Sequence, residues 1–581
     1  MHQSVPRPPE GSPSTKTQSR QATPPRTDVG TILLHWTTAI ALVVSLFTGV
    51  RIAADAIAAP VSKWLSPILP QGHIFWWHFV FGWALFFCAS AYVVYLTRTG
   101  LAARNDLQRV RLLTIPSAGK MRFEGANVLL HWVLYAVVLV LTFTGIFLYI
   151  GFGNWWSWVH STVAFVALGW IFFHVITHYL QGGWWQIFRV FRPAKLVLTQ
   201  AVRPKPLLAA TVVGAVVAAA VAGIDWASRD TLTIVRVDTP PVLDGDMSDP
   251  VWAKAKPVFI RTQLGVNFEN NSGESTVEVR AVRDADKLYF VFKWDDPTRS
   301  LRRVPMIKKE DGWHVVDERT AQQDVVDYYE DKISIIFSDN PSLGGSGATG
   351  LGPNPLPDDK PRPLNERGFH YTTDGSYLDM WQWKASRGGL LGRVDDQWIG
   401  PPYEPSATDK VYQSRYQGGY WNDPGHNIYS YNYKFFPKGS TGPVEVIRLP
   451  KNWKKTLAQL GKFDFDPNSS DDENSRWNMF LDETQPYSKE ADALIPVGTV
   501  MPGVILSGDN EGDRADLTGS AKWKDGYWTL ELTRKLKTDS DSKYDKQFTP
   551  DKPLYMWVAV FDHVQTRHTW HSRAVRVITE P

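Results

Sequence analysis

Five apolar runs, at 32–50, 74–96, 128–150, 158–180 and 207–224, alternate with polar links through the first 225 residues of the chain. Each approaches the roughly 20 residues that an α-helix needs to cross the hydrocarbon of a bilayer. Beyond about residue 230 the apolar period shortens to two. TLTIVRV, STVEVRAV, KLYFVFKW, KISIIFS, YWTLELTR, YMWVAVF and RAVRVIT are short alternating segments separated by Gly, Pro, Asn and Asp clusters. Together the two patterns predict an α membrane four-helix bundle plus a fifth transmembrane helix, followed by an all-β antiparallel sandwich domain. The expected divisions are a disordered tail over 1–27, a helical membrane domain over 28–200, a fifth helix and linker over 201–230, and the β-sandwich over 231–581.

Charge orients the spans. The link after the second run carries Arg98, Arg104, Arg109, Arg111, Lys120 and Arg122, and the link after the fourth carries Arg189, Arg192, Lys195, Arg203 and Lys205. Between them, the links after the first and third runs hold only Arg51 and Lys63. Positively charged loops stay on the cytoplasmic side, so the N-terminus and both basic links are expected there. Five crossings then place the β-sandwich outside the cytoplasm. Residues 1–27 lack an apolar h-region and a small-residue cleavage site, so the first span is expected to remain as an anchor.

Histidines inside the spans are the candidate chemistry. The fourth run, SWVHSTVAFVALGWIFFHVITHYL, holds His160, His174 and His178. The fourteen residues from His160 to His174 amount to roughly 21 Å of helix, and the two lie within about 40° of one face. An ionisable side chain within a membrane span needs compensation and marks function by default. Two imidazoles on one face, one near each membrane surface, suit two stacked metal centres, and haem adds apolar bulk for a bundle to pack around.

An internal repeat supplies partners. Leu33–Gly49 reads LLHWTTAIALVVSLFTG and Leu129–Gly145 reads LLHWVLYAVVLVLTFTG, with 8 of 17 positions identical. His35 therefore corresponds to His131, and His78 of FWWHFVFGW to His160. The expected topology sorts them into an outer layer, His78 and His160, and an inner layer, His35, His131, His174 and His178. Gly49 and Gly145 are expected either to let a flat macrocycle approach the backbone or to let helices pack closely.

Composition excludes several classes. The single cysteine, Cys88, rules out an internal disulfide, a CxxC metal site, four-cysteine iron–sulfur ligation and CxxCH-linked haem. Any haem must be held without covalent attachment. There is no nucleotide or flavin motif, no Ser-His-Asp arrangement and no basic patch for nucleic acid. The run 509–516, DNEGDRAD, gathers carboxylates able to hold calcium but misses the calcium-loop template, and reads as a solvated turn.

Residues 28–200 resemble the bacterial cytochrome b561 and nickel-hydrogenase cytochrome b group. In that group the fourth helix supplies two ligands at this spacing. The resemblance implies two haem b groups, with His78 and His160 on the outer one and His35 and His174 on the inner one. His131 and His178 depart from the simplest pattern, and are alternatives as ligands or proton acceptors at a quinone site.

The stretches PVLDGDMSDPVWAKAKPV and DADKLYFVFKWDD resemble family-9 carbohydrate-binding modules and haem-binding domains built on the same sandwich. GFHYTTDGSYLDMWQWKA, at 368–385, resembles the ethylbenzene dehydrogenase and dimethylsulfoxide-reductase-type haem-binding subunits. That resemblance implies a third haem b, with one axial ligand just before the WQWKA strand and one near the C-terminus. Here those positions point to His370 and His568, with Met380 competing for the first and His571 and His563 for the second.

The function these features imply is a b-type cytochrome of the bacterial inner membrane, passing electrons between quinone or quinol and a periplasmic redox protein such as a c-type cytochrome. A role as electron-transfer subunit is expected ahead of a stand-alone enzyme. A membrane-anchored carbohydrate-binding module and a quinol-dependent reductase with an open haem site are the alternatives.

Overall fold

The computed structural model describes residues 24–54, 68–70, 74–153, 155–195, 206–268, 273–317, 325–341, 372, 375–400, 420–434, 442–538 and 543–581. Each apolar run lies within a long helix: α1 (Val29–Ala54), α2 (Ile74–Thr99), α3 (Arg122–Tyr149), α4 (Trp155–Gly182) and α5 (Pro206–Ala227). All five are long and apolar enough to cross a membrane. Their outward faces carry apolar side chains such as Leu139 and Phe172, 68% and 62% exposed, which water would penalise and lipid does not. α3 begins before its apolar run, and the first turn is held where Glu124 pairs with Arg109 of the preceding basic link.

α1 packs on α2 and α3 on α4, so each copy of the repeat forms one helix pair. Mid-bundle, Leu42 and Leu46 of α1, Val137 of α3 and Ala167 of α4 form a buried apolar layer. α5 packs against α2 through small residues. Ala210 is buried, and a side chain at Gly214 would come within 2.9 Å of the Phe87 carbonyl oxygen. Close approach of this kind is how helices gain packing energy where lipid removes the hydrophobic drive.

Twelve strands form the main sheet beyond α5. They are β1 (Thr231–Arg236), β2 (Val258–Thr262), β3 (Ser275–Arg283), β4 (Lys287–Asp295), β5 (Lys332–Ser338) and β6 (Leu378–Lys384). The remainder are β7 (Asp395–Ile399), β8 (Tyr420–Asn422), β9 (Thr518–Lys524), β10 (Tyr527–Lys535), β11 (Leu554–Phe561) and β12 (Val575–Thr579). Their order is β8-β7-β6-β5-β11-β12-β1-β3-β4-β10-β9, with β2 paired to β3. The sheet curls on itself. Phe290 of β4 reaches Phe337 of β5 and Trp381 of β6, and Trp294 meets Trp383, so one core fills the space between the two halves.

The sheet is antiparallel, as its alternation predicts, except at β1, which runs parallel to both β12 and β3. The cause lies upstream. Only Ser228, Arg229 and Asp230 separate α5 from β1, so this strand must leave the membrane end whatever direction its neighbours take.

The β domain rests on the end of the bundle where α2 and α4 begin. Gln263 Nε2 donates to the Leu148 carbonyl (2.7 Å), and Gly153 N–H donates to Glu274 (2.5 Å). Arg573 donates to the Asp225 carbonyl (3.1 Å), and the Arg261 guanidinium lies 4.0 Å from the Phe152 ring centre. The Trp570 and Phe75 rings meet at 4.6 Å.

Candidate haem sites

In the outer layer, His78 of α2 and His160 of α4 face each other with ring centres 6.1 Å apart and planes at 77°. Two imidazoles bound trans to one metal through Nε2, at about 2.0 Å each, would hold their centres roughly 6.2 Å apart. The ring nitrogens are arranged to match. His78 Nδ1 lies 3.1 Å from the Ser45 carbonyl, which can only accept, and 3.0 Å from Thr48 Oγ1. That hydroxyl donates to the Val44 carbonyl (2.7 Å), so it too accepts. His160 Nδ1 repeats the device 2.8 Å from Thr144 Oγ1, whose proton goes to the Val140 carbonyl (2.7 Å). Both imidazoles therefore carry their proton on Nδ1 and present the Nε2 lone pair, the tautomer a metal ligand needs.

Gly49 and Gly145 complete the cradle in an unexpected way. A side chain at Gly49 would stand 3.2 Å from His78 Cε1, and one at Gly145 3.3 Å from His160 Cε1. The missing side chains make room for the histidine rings across the helix interface. Thr48 and Thr144 were not singled out by sequence, although the shared Phe-Thr-Gly ending of the repeat carries the signal.

The inner layer is more crowded. His131 lies 5.4 Å from His174 and 6.5 Å from His178, and the latter two are 4.6 Å apart. His131 Nδ1–H donates to the Asn127 carbonyl (2.6 Å), which again presents Nε2. Trp170 stacks on His174 at 4.6 Å and 18°. Nδ1 of His174 and Nδ1 of His178 are buried without a hydrogen-bond partner. Among the described residues His35 makes no ring contact with the other three.

The prokaryotic cytochrome b561 family matches residues 26–192, and the ethylbenzene dehydrogenase family matches residues 249–573. The chain belongs to the ethylbenzene dehydrogenase family. Its residues 26–192 match a family of membrane b-type cytochromes that bind haem b. No curated protein is a significant match. Among solved structures, a family 9 carbohydrate-binding module from Caldicellulosiruptor kristjanssonii is similar in two complexes. With glucose it shows 8% identity, coverage of 60% of this chain and 96% of that one, and a TM-score of 0.22. With cellotriose the figures are 9%, 60%, 93% and 0.20. Scores that low carry no argument about ligand.

Within the ethylbenzene dehydrogenase-family domain, His568 sits in the segment after β11. Its Nδ1–H donates to the Thr569 carbonyl (2.7 Å), placing the lone pair on Nε2. The Phe561 ring packs 4.7 Å away, and burial pushes the imidazole down to about 4, so it is neutral at ordinary pH. Lys332 Nζ lies 4.0 Å from the Phe561 ring centre and donates to the Gln565 carbonyl (2.9 Å). His370 lies outside the described residues. Met380 packs with Leu378, Ile399 and Ile336 on the sheet face opposite Trp381 and Trp383. His563 Nδ1 is 2.5 Å from Asp562 Oδ1.

His571 is a different kind of histidine. Its Nε2 accepts the Val558 N–H (3.0 Å) and its Nδ1–H donates to the Arg573 carbonyl (2.8 Å). Both nitrogens are engaged, which fits a satisfied core residue. The segment holding it is a loop, so no strand alternation separates it from His568. Burial and its role as acceptor do that instead.

Proposed function

We propose that the chain conducts electrons between quinone or quinol in the membrane and a redox protein beyond it, through three haem b groups. His78 and His160 hold the outer membrane haem, His35 and His174 the inner one, and His370 and His568 an external one. Haem iron with two side-chain ligands has no open position and supplies one-electron transfer.

The residues divide the remaining work. Thr48 and Thr144 hold the outer ligands in one tautomer and orientation. The Leu42, Leu46, Val137 and Ala167 layer excludes water between the two haem levels. His131 and His178 stand within reach of the inner site as proton acceptors for quinol. The observation that carries the three-haem reading is the contact of Trp570 with Phe75. Trp570 is two residues from His568 and Phe75 three from His78, so the external segment abuts the outer membrane layer through aromatic rings.

The large domain is placed in the periplasm of a bacterial inner-membrane protein on the strength of the basic links. Those links adjoin the bundle end opposite the β domain. A periplasm-active reporter fused after Pro581 should be active, and one fused within residues 104–120 silent.

The decisive measurement is haem b per purified chain by pyridine haemochrome, with a carbon monoxide difference spectrum. The proposal expects three haems and no carbon monoxide binding. Two haems would remove the external site, and carbon monoxide binding would favour a reductase with an open iron.

A further inference from the structure

A separate group of charges is buried at the β8 end of the sheet. Carboxylate oxygens of Asp379 on β6, Asp396 on β7 and Asp545 lie within 4.8 Å of one another. Asp379 and Asp396 are fully shielded from solvent, and Asp545 is 6% exposed. Asp423, directly after β8, is 3% exposed, and its N–H donates to the Asp396 carbonyl (3.1 Å). The Arg534 guanidinium enters this group, donating to Asp379 Oδ2 (2.7 Å). The neighbouring Arg514 is spent on Asp395.

Asp379 Oδ1, Asp396 Oδ2 and both carboxylate oxygens of Asp423 accept no hydrogen bond. A buried carboxylate oxygen without a donor carries a desolvation penalty that something must offset. Asp423 is the telling member, since it stands outside the triad, is buried, and turns its carboxyl toward those of Asp545 and Asp379, a like-charged group at close range to Asp545 with no basic donor on it. An open cleft of about 540 Å³, lined by Trp398, Trp421, Asp423, Arg514 and Tyr544, leads to it and provides entry and room for water.

We propose that Asp379, Asp396, Asp423 and Asp545 form a calcium site. Every donor is a carboxylate oxygen, with no imidazole or thiolate, which selects a hard cation over zinc or copper. Several carboxylates on separate strands and loops suit the 6–8 oxygen ligands of Ca²⁺ better than the strict octahedron and retained water of Mg²⁺. The DNEGDRAD run bears on the same place. Arg514 N–H donates to the Pro424 carbonyl (3.2 Å), which brings that loop to the rim of the site.

The test uses the full chain purified in detergent with its haem. Elemental analysis after desalting should find about one calcium per chain. EGTA should lower the melting temperature, and calcium, but not magnesium at equal concentration, should restore it. Asp423→Asn should weaken calcium binding about tenfold or more. Terbium bound there should give luminescence sensitised by the tryptophans of the cleft, a readout that stands if the variant fails to fold. A chain with no calcium, no response to EGTA and no terbium signal overturns the site. So does an Asp423→Asn chain that melts higher while binding calcium as before, because the carboxylates would then be held as neutral acids.

Discussion

The two histidine layers of the membrane bundle each take one histidine from each copy of the repeat, yet they differ. In the outer layer, two imidazoles stand 6.1 Å apart, each with its Nδ1 proton held by a threonine of the neighbouring helix. In the inner layer, three imidazoles crowd within 4.6–6.5 Å of one another. Two of these have an Nδ1 with no partner. The outer site pairs two imidazoles, each with an acceptor on Nδ1, an arrangement that suits holding one metal between two ligands. The inner site has more imidazoles than one iron can take. On the proposed function, the surplus basic nitrogens give that layer a second task, accepting protons from quinol. Duplication supplied each layer with one histidine from each helix pair, and His174 and His178 are additions on α4.

The largest effect should follow from emptying the outer layer. His160→Ala should remove about one haem per chain while the protein still inserts, because nothing nearby replaces the ligand. Pyridine haemochrome stoichiometry reads it, and an unchanged count would mean that the outer layer has a substitute too.

Next in size is the inner surplus. His178→Ala should leave the haem count unaltered and slow quinol-driven haem reduction by roughly a hundredfold, the scale of a lost general base. Loss of the inner haem instead would make His178 a ligand and erase the proposed difference between the layers.

A finer contrast comes from the threonines. Thr144→Val removes the acceptor that makes His160 more basic, a hydrogen bond worth about 1 kcal/mol, or roughly 40 mV for one electron. The outer haem should shift to higher potential by that order while the inner haem stays put. A redox titration that moves both equally would contradict the assignment.

The smallest effect belongs to His571, a histidine with no nitrogen to spare. His571→Ala should keep the external haem and lower stability by about 1–3 kcal/mol through its two lost buried hydrogen bonds. Burial pushes its imidazole from 6.5 down to about 4. Between those values the unfolded chain binds a proton that the folded chain refuses, so stability should fall as pH drops from about 6.5 to about 4. His571→Gln should flatten that slope in acid unfolding followed by tryptophan fluorescence. Loss of the external haem on His571→Ala would make it a ligand.

By itself the sequence determined the features that depend on local periodicity. Twenty-residue apolar runs form helices long and apolar enough to span a membrane, and 1.5 Å per residue sets His160 and His174 in separate layers. The repeat was legible for the same reason, and each copy folds as one helix pair because a copied hydrophobic face packs as its parent does. Alternation in KLYFVFKW and YMWVAVF likewise determined strands. Only the tertiary structure decided what depends on a partner far along the chain. The His78 tautomer is set by Thr48 on another helix, and the parallel pairing of β1 by the exit of α5. His571 is excluded by an amide on β11, and the gathering of Asp379, Asp396, Asp423 and Asp545 requires four segments that no spacing relates. Hydrogen bonds and charge repulsion act over a few ångströms of space, and sequence distance does not measure that.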